Sequence, residues 1–141
     1  MKTLNTIKLL LFVLILSACG GKESKNGKTE KKLETLSLQY QTAIRSVTYK
    51  NVAPFLMEAS KSSCKSDYSQ VSDDMRAEFV AIFKKQENKV KKVTIVDENN
   101  AEVDMCCSGF GTKFRVFWEM ENEEWKVNYD KTIDYSLKNV N

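Results

Sequence analysis

The apolar positions of this chain change their period once, near Val90. Upstream of it, Leu33, Leu36, Tyr40, Ala43, Ile44 and Val47 recur at three- and four-residue spacing. That is the stripe of one helix face, and it predicts a helix over about residues 32–48. Tyr49-Lys50-Asn51 breaks the stripe, and Asn51 is placed to cap a short second helix from Val52 to about Ala59. Pro54 would fall in its first turn, where a missing N–H costs nothing, with Phe55 and Leu56 turned inward. A polar stretch over residues 60–69 carries Cys64. Ser72-Asp73-Asp74 then opens a third helix, a serine cap followed by acids at the positive end of the helix dipole. Met75, Phe79, Ile82 and Phe83 are its apolar stripe, and Lys84, Lys85 and Lys89 suit its negative end.

Beyond Val90 the period is two. Val93 and Ile95 alternate with Lys92, Thr94 and Val96; Asp97-Glu98-Asn99-Asn100 is a turn. Ala101, Val103, Met105 and Cys107 then alternate with Glu102, Asp104 and Cys106, up to a second turn at Ser108-Gly109-Phe110-Gly111-Thr112. Phe114, Val116, Trp118 and Met120 alternate with Arg115, Phe117 and Glu119, and the chain turns again through Glu121-Asn122-Glu123-Glu124 into Trp125, Val127 and Tyr129. Four strands on short connections make an antiparallel meander. After Asp130 the pattern weakens; Ile133, Tyr135 and Leu137 are expected to add a short element or simply to dock. Helices followed by strands predict an α+β fold, the helices packed on one face of the sheet.

The first residues belong to a different category. Lys2 and Lys8 lead into the apolar run Leu9-Leu10-Leu11-Phe12-Val13-Leu14-Ile15-Leu16, too short for a comfortable span and typical of a secretory signal. The run ends in Leu16-Ser17-Ala18-Cys19, which resembles the bacterial lipobox at all four positions. The resemblance implies cleavage of residues 1–18 and acylation, including palmitate-type chains, at Cys19. Several buried acyl chains, at about 0.8 kcal/mol per CH₂, hold a protein on a membrane where one chain binds only marginally. Gly20 stands where inner-membrane retention signals place Asp, which favours the outer membrane in a two-membrane bacterium. Residues 19–32, rich in Lys, Gly, Ser, Asn and Glu, are expected to be a flexible tether, leaving residues 33–141 as one domain.

Charge has to be read against that division. The net +3 of the 141-residue chain comes from Lys2, Lys8, Lys22, Lys25, Lys28, Lys31 and Lys32; from Leu33 onward the balance is slightly acidic. The domain therefore has no electrostatic footprint for nucleic acid. Hydrophobic residues make up 42%, enough for a packed core rather than a disordered chain. The count of histidines is 0, which removes the commonest general base and the commonest zinc ligand. No metal, cofactor or catalytic residue is expected.

The element order, with Tyr40-Gln41-Thr42-Ala43-Ile44, Asn51-Val52-Ala53-Pro54-Phe55-Leu56, Ala101-Glu102-Val103 and Glu123-Glu124-Trp125-Lys126-Val127, resembles the cystatin-like, nuclear-transport-factor-2-like fold. Within it, the chain resembles small bacterial lipoproteins. The resemblance implies a curved sheet around N-terminal helices and a cavity between them. It selects no activity, because that fold carries isomerases, dehydratases, secretion components and binding modules.

With Cys19 lipidated, Cys64, Cys106 and Cys107 remain in a compartment that permits disulfides. Alternation puts Cys107 on the inner face, so Cys64–Cys107 is the expected staple, with Cys64–Cys106 the alternative and a vicinal Cys106–Cys107 bond a third. Closing a loop of roughly 43 residues stabilises by about 4 kcal/mol. Without a Cys-x-x-Cys or a histidine, nothing lowers a thiol pKa for redox work. Tyr40, Phe83, Trp118, Trp125 and Tyr129 are core residues or, if a cavity opens, the lining of an apolar pocket. Phe110, at a glycine-flanked turn, is a candidate contact residue. Lys84, Lys85, Lys89, Lys91 and Lys92 form a basic cluster that reads as a solvated helix end or a polyanion contact. Glu119, Glu121, Glu123 and Glu124 read as a hairpin edge kept soluble by charge.

The function expected is a membrane-anchored envelope lipoprotein, a non-enzymatic module for a protein partner or a small apolar ligand. The alternatives are an immunity or inhibitor lipoprotein against a toxin, and an enzyme using the fold's cavity with Asp, Glu or Tyr as base.

Overall fold

The computed structural model describes residues 25–106 and 114–139. The fold is α+β: four strands form one open antiparallel sheet, and all helices except the last precede it. Helix α1 runs Lys25–Arg45, so it begins well inside the expected tether. Its first turns are solvent-exposed helix, with Thr29 Oγ1 donating to Lys25 O and Thr35 Oγ1 to Lys31 O. Lys, Glu and Thr with no apolar period can propagate a helix that packing has already nucleated further along, at Leu33. From Leu33 the predicted stripe is buried: Leu33, Tyr40 and Ala43 enter the core, together with Ser37 and Gln41.

The α1 stripe ends where expected. Val47 takes a positive φ of 51°, a left-handed position glycine normally fills. The Arg76 guanidinium donates to Val47 O, and the Val47 side chain is buried, which together hold the strained turn.

The second helix is shorter and earlier than its prediction. Helix α2 covers Tyr49–Val52, and a 3₁₀ turn at Ala53–Phe55 takes Pro54 in its first positions. Leu56 leaves it extended and forms an isolated parallel bridge with Val127. A second 3₁₀ turn, Glu58–Ser60, leads into α3, Lys61–Ser69. In sequence that stretch shows only polar chain. Only Cys64 and Tyr68, four residues apart, turn inward, too few to show an apolar period. Helix α4, Asp73–Phe83, is capped as predicted, Ser72 Oγ accepting from Met75 N at 3.3 Å.

The sheet follows the alternation closely: β1 Val90–Ile95, β2 Asn100–Met105, β3 Phe114–Glu121 and β4 Glu124–Val127, in that spatial order. Val103 lies opposite Val116, and Trp118 stands between Ala101 and Val127. Those five, with Met105 and Trp125, are the sheet's contribution to the core. Asn122 and Glu123 both take positive φ, 50° and 65°, as a two-residue hairpin turn of the primed type requires. A bulge falls at Lys91 on β1.

The weakly patterned tail is helix α5, Tyr129–Lys138. Asn128 caps it by accepting from Lys131 N, and Thr132 Oγ1 both donates to Asn128 O and accepts from Phe117 N. Phe117 meets Tyr135 edge-on at 5.7 Å, with Lys131 above its ring at 4.8 Å. This helix covers the face of β3 opposite α1, correcting the expectation of helices on one face only. Tyr129 and Ile133, four residues apart, face inward together with polar Thr132 and Ser136, a helical pair that the period-two run Ile133, Tyr135, Leu137 hides in sequence.

Candidate functional site

Four of the five aromatic residues expected as core or pocket lining lie in one core cluster: Tyr40, Trp118, Trp125 and Tyr129. Tyr40 packs edge-on against Trp118 at 6.1 Å and against Phe55 at 5.8 Å. Trp118 is fully buried and satisfies its indole N–H on Ser37 Oγ at 3.0 Å. These rings fill the space between α1 and the sheet instead of walling a cavity. Phe83 is elsewhere, half-buried on α4 and tilted against Phe79. Trp125 also borders one open groove and Trp118 another.

Beside the core, α3 and α5 enclose a protonated cluster. Tyr129 Oη donates to Asp67 Oδ2 at 2.8 Å, and Ser60 Oγ accepts from Tyr129 N while donating to Asp130 Oδ2. Burial pushes the Cys64 thiol up to about 12, helped by the Asp67 carboxylate and only partly offset by its hydrogen bond with Tyr129. Burial likewise raises Tyr40, Tyr68 and Tyr129 above the ordinary tyrosine range. A thiol held this firmly protonated is a packing group, not a nucleophile.

The same residue corrects the expected staple. Cys64 is a free buried thiol, so neither the Cys64–Cys107 bond nor its Cys64–Cys106 alternative is formed. Its side chain is committed to the α3–α5 contact, while Cys106 is tied to α1 through Gln41 Nε2, which donates to Cys106 O. Cys106 is disulfide-bonded, but not to Cys64. Cys107, like Phe110 and Cys19, falls outside the described residues.

On the sheet face shared with α5, Arg115 grips Asp104 through two nitrogens, at 2.6 and 3.1 Å, and reaches Glu102 at 2.8 Å. Its guanidinium also lies 5.0 Å from the centre of the Tyr135 ring. The ion pairs tie β3 to β2, and the Tyr135 ring contact brings α5 onto them. The hairpin acids are also engaged: Glu121 accepts from Glu58 N, Glu119 from Asn128 Nδ2, and Glu124 pairs with Lys126 at 2.8 Å. Glu123 is exposed on the turn.

Among the described residues, two open grooves lie along β1, and a smaller one lies over β2 and β3 beside Lys131. A groove of about 340 Å³ runs between its residues 90–93 and Gly27, Glu30, Lys31 and Glu34 of α1. A second, of about 540 Å³, continues beneath the first turn of α1 to Ile95, the β1–β2 turn, Met120 and Trp125. Lys89, Lys91 and Lys92 are exposed along this border, and none enters an ion pair among the described residues. Lys84 and Lys85 lie apart, at the end of α4. The lysines are visible in sequence but the groove is not, because Gly27, Glu30 and Lys31 carry the composition of a tether.

Among the described residues no helix is long and apolar enough to cross a membrane, and no group of three or more His, Cys, Asp or Glu is placed to hold a metal ion. No protein-family model, curated protein or solved structure matches the chain.

Proposed function

We propose that this chain is a lipid-anchored protein of the bacterial cell envelope whose domain is a non-enzymatic binding module. Leu16-Ser17-Ala18-Cys19 behind a basic and then apolar leader carries the anchoring half of that reading. The domain half rests on where open surface remains: a core filled by Tyr40 and Trp118, and open grooves along β1. A buried reacting group would need a cavity beside it; the acids of this domain are exposed or engaged in structural ion pairs and hydrogen bonds. Shallow, half-polar grooves suit a protein partner better than a small apolar ligand, which favours an enclosed pocket.

A cystatin-like, nuclear-transport-factor-2-like assignment of the domain is part of the same proposal. It is supported by one long helix lying across an open antiparallel sheet, Tyr40 against Trp118, with the shorter helices between that helix and the strands in sequence. Gly20 after the lipidated cysteine favours the outer membrane if the bacterium has two membranes.

The decisive experiment is mass spectrometry of the mature amino terminus from native membranes, paired with fractionation of Cys19→Ser. An acylated Cys19, and a variant released from membranes, are the expected results. A native product with a bare Cys19 sulfur removes the anchor.

A further inference from the structure

The sheet has two edges, and the described residues close only one. On β4 the outward main-chain groups belong to Trp125 and Val127, and Val127 O accepts from Met57 N at 3.0 Å while Leu56 bridges alongside. On β1 the alternation can be placed from the turn: Val96 N donates to Asn100 O. With the register Thr94↔Glu102 and Lys92↔Asp104, the groups of Lys92, Thr94 and Val96 face β2. Those of Val93 and Ile95 therefore face away from the sheet, and no described residue bonds to them. Beside that free edge lies the groove between residues 90–93 and α1.

We propose that the β1 edge is a docking site for an extended acidic segment of a protein partner, added to the sheet as a fifth strand between β1 and the first half of α1. The inference rests on the binding-module reading but not on the lipid anchor. Unpaired N–H and C=O groups in a row accept an extended backbone and little else. Charge then selects which backbone. Lys92 lies opposite Asp104 on the sheet face away from α1, Lys91 sits in the bulge, and Lys89 enters just before. Side chains of an added strand on that face meet ammonium groups, so acids there are favoured. Positions turned toward α1 meet Val93, Glu30, Lys31 and Glu34, which favour an apolar residue and disfavour an acid. The preferred segment thus alternates acidic and apolar residues. A second copy of this chain is disfavoured at the same place, because β1 against β1 sets lysines beside lysines.

The test uses the chain from residue 19 onward with Cys19→Ser, titrated with a short capped peptide of alternating valine and glutamate, and separately with its valine–lysine counterpart. Backbone amide NMR is the readout. The valine–glutamate peptide is expected to shift the Val93 and Ile95 amides and slow their exchange, while the lysine peptide leaves them unchanged. The double variant Lys91→Glu, Lys92→Glu should weaken the acidic peptide by about tenfold and strengthen the basic one. Val93→Pro removes an N–H that serves no bond in the ladder and should abolish binding; should it fail to fold, the charge reversal still decides.

No response at Val93 and Ile95, or equal response to both peptides, overturns the proposal. So does dimerisation through β1 seen by sedimentation. Shifts confined to Met120 and Trp125 would also overturn the edge assignment while leaving the binding-module reading standing.

Discussion

The two ends of this sheet were built from the same alternation and finished in opposite ways. The β4 end is sealed: Leu56, 1% exposed, crosses it, Met57 bonds it, and Tyr129 turns straight from it into the cluster with Cys64 and Asp67. The β1 end carries a bulge, three exposed lysines and a groove. Burial of neutral groups therefore stabilises one end, while charge guards the other against indiscriminate pairing. A perturbation that is costly at β4 should be cheap at β1, and one that changes association should act only at β1.

The largest expected effect is alkaline. Tyr40, Tyr68, Tyr129 and Cys64 are neutral when protonated, and all four are held above their ordinary values, 10.0 for the tyrosines and 9.0 for the thiol. The unfolded chain releases those protons first, so this stability is complete below pH 9 and is lost as pH rises toward the folded values. With a slope approaching about 1.4 kcal/mol per group and pH unit, and the unfolded tyrosines still half protonated at pH 10, stability should fall by about 4 kcal/mol between pH 10 and 11. Urea midpoints measured across that range check it, and a flat profile would mean the cluster is solvated. Next is Leu56→Ala, expected to cost about 3 kcal/mol at neutral pH by emptying the seal on β4. Val93→Ala, on the half-buried β1 edge, should cost about 1 kcal/mol in the same urea series. Equal losses would erase the contrast between the ends.

Thr132→Val tests α5. It leaves Phe117 N without its acceptor in a buried position and should cost about 1–2 kcal/mol, read by thermal unfolding. The smallest effect on stability belongs to Lys91→Thr with Lys92→Thr, expected within about 0.5 kcal/mol. Its consequence should be visible in sedimentation instead, as concentration-dependent association through the unguarded edge.

The strands were legible because Ala101, Val103, Met105, Val116 and Trp118 bury one face of a half-solvated sheet, the condition under which a period of two shows most plainly. The stripe from Leu33 to Val47 was legible for the matching reason in a helix. Helix α3 was not, since only Cys64 and Tyr68 turn inward; α5 was not, because Ile133, Tyr135 and Leu137 read at a period of two while its inward side mixes Tyr129 and Ile133 with polar Thr132. Aromatic residues could be placed on the inner face, but sequence could not tell a filled space from a lined one. That depended on how Tyr40 meets Phe55 and Trp118, a contact between three separate elements. The open edge had a signal that went unused: the first strand of a four-strand meander must be an edge, and lysines bordered it.

Amide hydrogen exchange on the free protein measures the asymmetry most directly. Val93 and Ile95 should exchange near the unprotected rate, while Met57, bonded to Val127, and Thr94, facing β2, should be slower by a hundredfold or more, a figure on the order of the local stabilities of packed strands. Protection of Val93 and Ile95 equal to that of Thr94 would show that β1 is already covered and would contradict the account.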